Sequence, residues 1–232
     1  MDIPFDFAPS CYFSLNFPNQ SSVPTSDLLG RTHGIHIGSG GLKIVEHQQG
    51  NAVDIELREP HQAHFFIGIE TYRTELEIHM PRSAKVNIHT GDGAVLAKGL
   101  EGDLDFTTGD GSLEIEDVDG SLHAHTSDGS VRVSGRFDVL ELRTSDGRVE
   151  VEARPGSQLC AAWNISSSDG SLTLRLPGDL AADIALHTSD GSITTNIPIA
   201  VQGSFGHHDI HGKMNGGGNL LTLHQRRVGD AG

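Results

Sequence analysis

One short phrase recurs along this chain and constrains its fold more than anything else in it. It is written at Thr90-Gly-Asp-Gly93, Thr108-Gly-Asp-Gly111, Thr126-Ser-Asp-Gly129, Thr144-Ser-Asp-Gly147, Ser167-Ser-Asp-Gly170 and Thr188-Ser-Asp-Gly191. The aspartates Asp92, Asp110, Asp128, Asp146, Asp169 and Asp190 are separated by 18, 18, 18, 23 and 21 residues. A period near 20 residues is the mark of a solenoid, in which each repeat is one structural unit stacked on the last. The pair Asp-Gly is turn chemistry: the carboxylate can bond its own downstream backbone, and glycine accepts φ > 0. The structural turn positions are therefore Asp92, Gly93, Asp110, Gly111, Asp128, Gly129, Asp146, Gly147, Asp169, Gly170, Asp190 and Gly191.

Between the turns the text alternates with the period of two that belongs to strands. Each turn is followed by an apolar pair, Val95/Ala97, Leu113/Ile115, Val131/Val133, Val149/Val151, Leu172/Leu174 and Ile193/Thr195. Each following turn is preceded by another, Leu104/Phe106, Leu122/Ala124, Leu140/Leu142, Trp163/Ile165 and Ile184/Leu186. Rungs about 4.8 Å apart would pile these residues into four inward columns. A weaker turn falls mid-rung at Gly99–Gly102, Asp117–Gly120 and Gly135–Asp138. The two longer rungs carry their extra residues at Arg154-Pro-Gly156 and Pro177-Gly178, expected as surface loops. With 29 glycines and 5% aromatic residues, the composition suits many short strands joined by turns. The reading is an all-β, single-domain, right-handed β-solenoid or β-helix, with rungs of about 18–23 residues.

The domain layout follows. Residues 1–33 are an N-terminal tail or cap, whose Phe5, Phe7, Tyr12, Phe13 and Phe17 could plug the first rung. The solenoid runs from 34 to 224, loosely periodic up to residue 89 and regular over 90–197. At 203–219 the text turns to glycine and histidine before Leu221-Thr-Leu223 resumes alternation, read as a last, wider rung. Residues 225–232 are a frayed end.

Charge and motif narrow the function. A net charge of -15, from 16 basic and 31 acidic residues, argues against nucleic acid or an anionic membrane as partner. No apolar run is long enough to span a bilayer. The opening Met1-Asp-Ile-Pro-Phe-Asp-Phe lacks the pattern of a signal peptide, so the chain as it stands shows no export address. Two cysteines, Cys11 and Cys160, make no disulfide framework; one bond between them is open, and two buried or idle thiols are the expectation. No Gly-x-Ser-x-Gly elbow, P-loop, His-Glu-x-x-His or Cys-x-x-Cys is present, so no catalytic centre is expected.

The succession of Thr/Ser-x-Asp-Gly turns, the Pro81 segment running into Val86-Asn-Ile88-His-Thr-Gly-Asp-Gly93, and the closing Lys213-Met-Asn-Gly-Gly-Gly218 carry a resemblance. Over residues 34–224 the chain resembles a bacterial adhesin family of β-solenoid repeat domains, similar to the auto-transporter head GIN adhesin domain. That resemblance implies a right-handed stack and a cell-envelope location, with no catalytic residues to carry over.

Three constellations remain. The aspartate column, with Asp110, Asp128 and Asp146 at its centre, repels itself by about 0.9 kcal/mol per neighbouring pair in water. A backbone bond within each turn would offset that. A Ca2+ ladder would do so further, but each turn offers a single carboxylate, so structural turns are the expectation and no cofactor is assigned. Outward columns alternate in sign at Glu114, Arg132 and Glu150 and at Lys98 and Glu116, as a register-fixing face would. Another strip runs His89, Thr107, His125, Arg143, Ser166, His187, beside Asp105, His123, Glu141 and Asn164; it could hold a sugar, or work as a polysaccharide lyase through Glu141 and Arg143. His207, His208 and His211 form a weak metal candidate in a glycine-rich loop. The function expected is a non-enzymatic adhesin-like or scaffold module that presents repeated polar faces to a glycan or a protein surface. Self-association through the open ends of the solenoid is a further expectation.

Overall fold

The repeats stack, and they stack in register. The computed structural model describes residues 11–17, 31–33, 43–58, 75–78, 80–189, 200–201 and 208–225; among these the chain is all-β, with no helix. Strands β6 (Lys85–Asp92), β8 (Glu101–Asp110), β9 (Leu113–Asp128) and β10 (Val131–Asp146) run side by side and parallel. The half-rungs after the turns extend the same sheet: β7 (Val95–Lys98) pairs with β9, β11 (Val149–Ala153) with β10, and β13 (Leu172–Arg175) with β11. β9 and β10 each carry both halves of a rung through a bent middle, which in β9 is set by Asp117 at φ 55° and Gly120 at φ 124°.

The period-two text becomes an enclosed apolar stripe. Leu104, Leu122, Leu140 and Trp163 are stacked neighbours, and none is more than 2% exposed. The second half-rung repeats this with Leu113, Val131 and Val149 in one column and Ile115, Val133 and Val151 in the next. Each fully buried aliphatic side chain is worth about 1.5–3 kcal/mol before entropy is subtracted. A single rung has no second layer to close this stripe, so the stack stabilises itself only collectively.

The turns are held by a different residue from the one their text emphasises. The first residue of the phrase is buried in every described copy: Thr90, Thr108, Thr126, Thr144, Ser167 and Thr188. Thr126 Oγ1 donates to Gly111 O at 3.0 Å and Gly109 O at 3.2 Å, both in the turn below. Thr144 Oγ1 reaches Ser127 O and Gly129 O at 3.4 Å each, and Thr108 Oγ1 reaches Gly91 O at 3.5 Å. The hydroxyl thus serves carbonyls that the bend turns away from the ladder. Glycine closes the phrase mainly because the rungs approach closely. Gly93 and Gly170 do take positive φ, but at Gly129 the problem is contact: a Cβ there would overlap Gly111 O.

The extra residues after β11 form the expected surface loop, with Pro155 and Gly156 exposed, and the loop is bonded to the corner. Arg154, Gln158 and Cys160 donate backbone N–H groups to Gly135 O, Phe137 O and Asp138 O at 2.7, 3.0 and 3.0 Å. Ser157 is buried, accepting from Phe137 N and donating to Arg154 O. Phe137 meets the ring of Trp163 edge-on at 6.1 Å.

The two ends depart from simple stacking. β1 (Cys11–Asn16) lies antiparallel against β6 on one side and β4 (Ala52–Arg58) on the other, with Leu15 and Phe17 buried over the first rung. β4 folds back on β3 (Lys43–Gln49) as an antiparallel hairpin, so 43–58 is not the loosely periodic rung its alternation predicts. An antiparallel strand caps an edge because its hydrogen-bond spacing does not continue the parallel template. β2 (Arg31–His33) and β5 (Glu75–Glu77) form a separate two-stranded sheet.

At the far end β12 (Trp163–Asp169) stacks on β10. The next strand in space is not β14 (Ala182–Thr188) but β17 (Leu220–Gln225), which pairs parallel with β12 and with β14. The segment expected as the last rung is instead inserted between two earlier ones. Leu221 completes the column between Trp163 and Ile184, and it is fully buried. β16 (Asp209–Met214) and β15 (Ala200–Val201) then close the sheet antiparallel beyond β14.

Candidate functional site

Because alternate residues of each strand point outward, the register that builds the core also builds a polar strip. Across β1, β6, β8, β9 and β10 it runs Tyr12, His89, Thr107, His125 and Arg143. It continues across β12, β17 and β14 as Ser166, His224 and His187. Two residues back along each strand lies a companion row of Asn87, Asp105, His123, Glu141, Asn164 and Thr222. The sequence places the strip correctly up to Ser166. It misses His224, which enters only because β17 is inserted, and the alternating Leu221-Thr-Leu223-His224 gave no sign of where that strand would lie.

The strip is cross-linked by its own charges. Glu141 Oε1 forms an ion pair with Arg143 Nη2 at 2.6 Å, and its other oxygen lies 3.8 Å from His123 Nε2. Tyr12 donates to Asp54 at 2.9 Å. At the β14 end, His187 Nδ1 stands 2.5 Å from Asp209 Oδ1, and its ring stacks on His224 with centroids 4.9 Å apart and planes inclined by 22°. The His187 hydrogen bond holds the Asp209 carboxyl below its usual range, with the fields of His187, His211 and His208 adding to it.

The other outward face is the charge ladder the sequence predicts. Arg132 lies 3.8 Å from Glu114 and 3.5 Å from Glu150, and Lys98 lies 3.1 Å from Glu116. Arg175 joins at 2.6 Å from Glu150, and its hydrogen bond, with Arg132 assisting, draws the Glu150 carboxyl below its ordinary value. A shallow groove beside this ladder is lined by Ser112, Ser130 and Arg148, with the two serine hydroxyls 3.2 Å apart.

The turn aspartates do form a column: Asp92 pairs with Asp110, Asp128 with Asp146, and Asp146 with Asp169. All five are exposed, and the turn hydrogen bonds described above come from the threonines, not from these carboxylates as the turn chemistry predicts. Asp190 and Gly191 lie outside the described residues, as does His207; His208 and His211 flank β16 Asp209 and are exposed. Among the described residues, no three of His, Cys, Asp and Glu converge in an arrangement able to hold a metal ion. Cys160 is an exposed free thiol.

Parallel in-register rungs, recurrent stacked turns and antiparallel strands at both ends define a β-solenoid. Residues 67–176, just under half of the chain, match the family model described as Toastrack DUF4097, a β-solenoid-like family of uncharacterised domains. Comparison with curated proteins finds no match, and neither does comparison with solved structures.

Proposed function

We propose that this β-solenoid is a non-enzymatic, adhesin-like binding module that holds an extended partner, a glycan in the first instance, along the strip from Tyr12 to His187. The observation that carries the reading is the unbroken register of that strip. Imidazole, guanidinium and hydroxyl groups recur there at the spacing of the rungs, about 4.8 Å. A partner with a repeating backbone can meet them one after another, so affinity accumulates from contacts that are individually weak. The ion pair of Glu141 with Arg143 supports a binding strip, in which the carboxylate is held by its neighbour, over a cleft with a free catalytic carboxylate. The adhesin resemblance of the sequence agrees with this reading and with a cell-envelope setting.

A glycan array probed with the full chain tests it. Binding to a set of related oligosaccharides, rising with their length and reduced by His125→Ala and by Arg143→Ala, is the expected outcome. Binding that ignores both substitutions, or an array with no ligand, sinks it.

A further inference from the structure

We infer that the groove beside the charge ladder is a subsite for one oxyanion group, the carboxylate or sulfate of an acidic partner. Arg148 is its cation, and the hydroxyls of Ser112 and Ser130 supply the further hydrogen bond. The groove lies along the ladder and not on the strip from Tyr12 to His187, so the subsite is independent of the glycan reading.

The repeat itself marks the place. The residue that follows the turn phrase is serine at Ser112, Ser130, Ser171 and Ser192, alanine at Ala94, and arginine at Arg148 alone. Leu113 N donates to Ser130 O at 2.9 Å, and Val131 N donates to Arg148 O at 2.8 Å. Those bonds set Ser112, Ser130 and Arg148 on successive rungs, where they line the groove together with Glu114, Arg132 and Glu150. Rungs lie about 4.8 Å apart, a step that an arginine side chain spans easily.

The charge of Arg148 is not used within the fold. The other arginines with described side chains, from Arg82 to Arg175, all stand in ion pairs. Arg148 is exposed and has neither an ion pair nor a hydrogen bond among the described residues. Glu150, two residues further on, is already held by Arg132 at 3.5 Å and by Arg175 at 2.6 Å. The two serine hydroxyls are 3.2 Å apart, so one donates to the other and the second keeps a proton for a ligand oxygen. A guanidinium presents paired N–H groups that match two oxygens of a carboxylate or sulfate, and it has no acceptor to offer a cation. The exposed turn carboxylates Asp128 and Asp146, two residues upstream of Ser130 and Arg148, oppose an anion. A single group therefore binds in the millimolar range, and tighter binding needs an acidic partner with further contacts.

Nuclear magnetic resonance of the isotope-labelled full chain, titrated with sodium sulfate and separately with sodium glucuronate, tests the subsite. Sodium chloride holds the ionic strength constant in both arms. A saturable shift of the Arg148 side-chain Nε–H signal, together with the Ser112 and Ser130 amides, is expected. Saturation with sulfate, with glucuronate or with both supports the subsite and names the group it takes. Arg148→Gln should weaken the response at Ser112 and Ser130 at least about 10-fold, and Ser130→Ala about 2–5-fold. Arg82→Gln, away from the groove, should leave that response unchanged. Shifts that saturate with neither salt, that arise equally at every arginine, or that persist at Ser112 and Ser130 in the Arg148→Gln chain each overturn the assignment. The wild-type titration needs no substituted chain, so a variant that fails to fold leaves the test intact.

Discussion

At the scale of the residue, the repeated turn works through its first and last letters. Thr126 is completely buried and bonds two carbonyls of the turn beneath it, while Asp128 of the same phrase faces water. Thr126→Val keeps the shape and removes the donor, leaving those carbonyls less well served; a loss of about 1–3 kcal/mol in chemical denaturation is expected. Ser167 holds the matching position two strands on, but its buried hydroxyl has no hydrogen-bond partner among the described residues. Ser167→Ala should therefore be neutral or slightly stabilising in the same measurement, since it removes a desolvated group without breaking a bond. Equal losses for the two variants would refute the hydroxyl ladder. Gly129→Ala should cost about 1–3 kcal/mol through overlap with Gly111 O, read as a lowered melting temperature. The six copies of the phrase were plain in the sequence, and so was a hydroxyl residue at the head of each. Which side chain the turn needs was not plain, because the bonds run between rungs and local turn chemistry describes only bonds within one.

At the scale of the element, charges set register across strands. The strand β11 residue Glu150 is bracketed by Arg132 on β10 and Arg175 on β13. Its carboxyl is held below the ordinary glutamate value of 4.5. The folded chain therefore binds that proton less readily than the unfolded one. The resulting stabilisation is fully present above the unfolded value and disappears as pH falls through the depressed folded value. Glu150→Gln should lower the melting temperature slightly at pH 7, with the gap narrowing as pH falls below the ordinary glutamate value and shrinking at pH 7 in 1 M salt because the groups are solvent-screened. A gap that persists in acid would place the effect in packing rather than charge. The alternation of Glu114, Arg132 and Glu150 was readable once the 18-residue period was known. The contribution of Arg175 was not, since Arg175 lies opposite Glu152 and reaches Glu150 only diagonally across the strands.

For the whole molecule, the inserted C-terminal strand decides how the parts depend on one another. β14, β15 and β16 connect to the main stack through β17, so a lesion in β17 should release that end as a unit. Leu221→Ala removes a fully buried side chain and is expected to cost about 2–5 kcal/mol locally. In hydrogen exchange, β14 and β16 should lose protection while β8 and β9 keep theirs, because a solenoid transmits stability mainly between neighbours. Uniform loss along the chain would show instead that the stack melts as one cooperative body.

The stack is written in the chain: a four-residue phrase recurring every 18–23 residues, with period-two apolar pairs between copies, leaves parallel rungs as the arrangement that buries Leu122, Val131 and Leu140 together. The same pattern also determined which outward residues share a column, as far as Ser166. How the ends close, and that His224 meets His187, came from the folded arrangement alone. The reason is physical: strand pairing inside the repeat is specified by recurring side-chain pattern, but at an end any strand with the right alternation can fill an open edge. The choice among β14, β17 and an antiparallel neighbour then rests on non-local burial, which no short stretch of sequence contains.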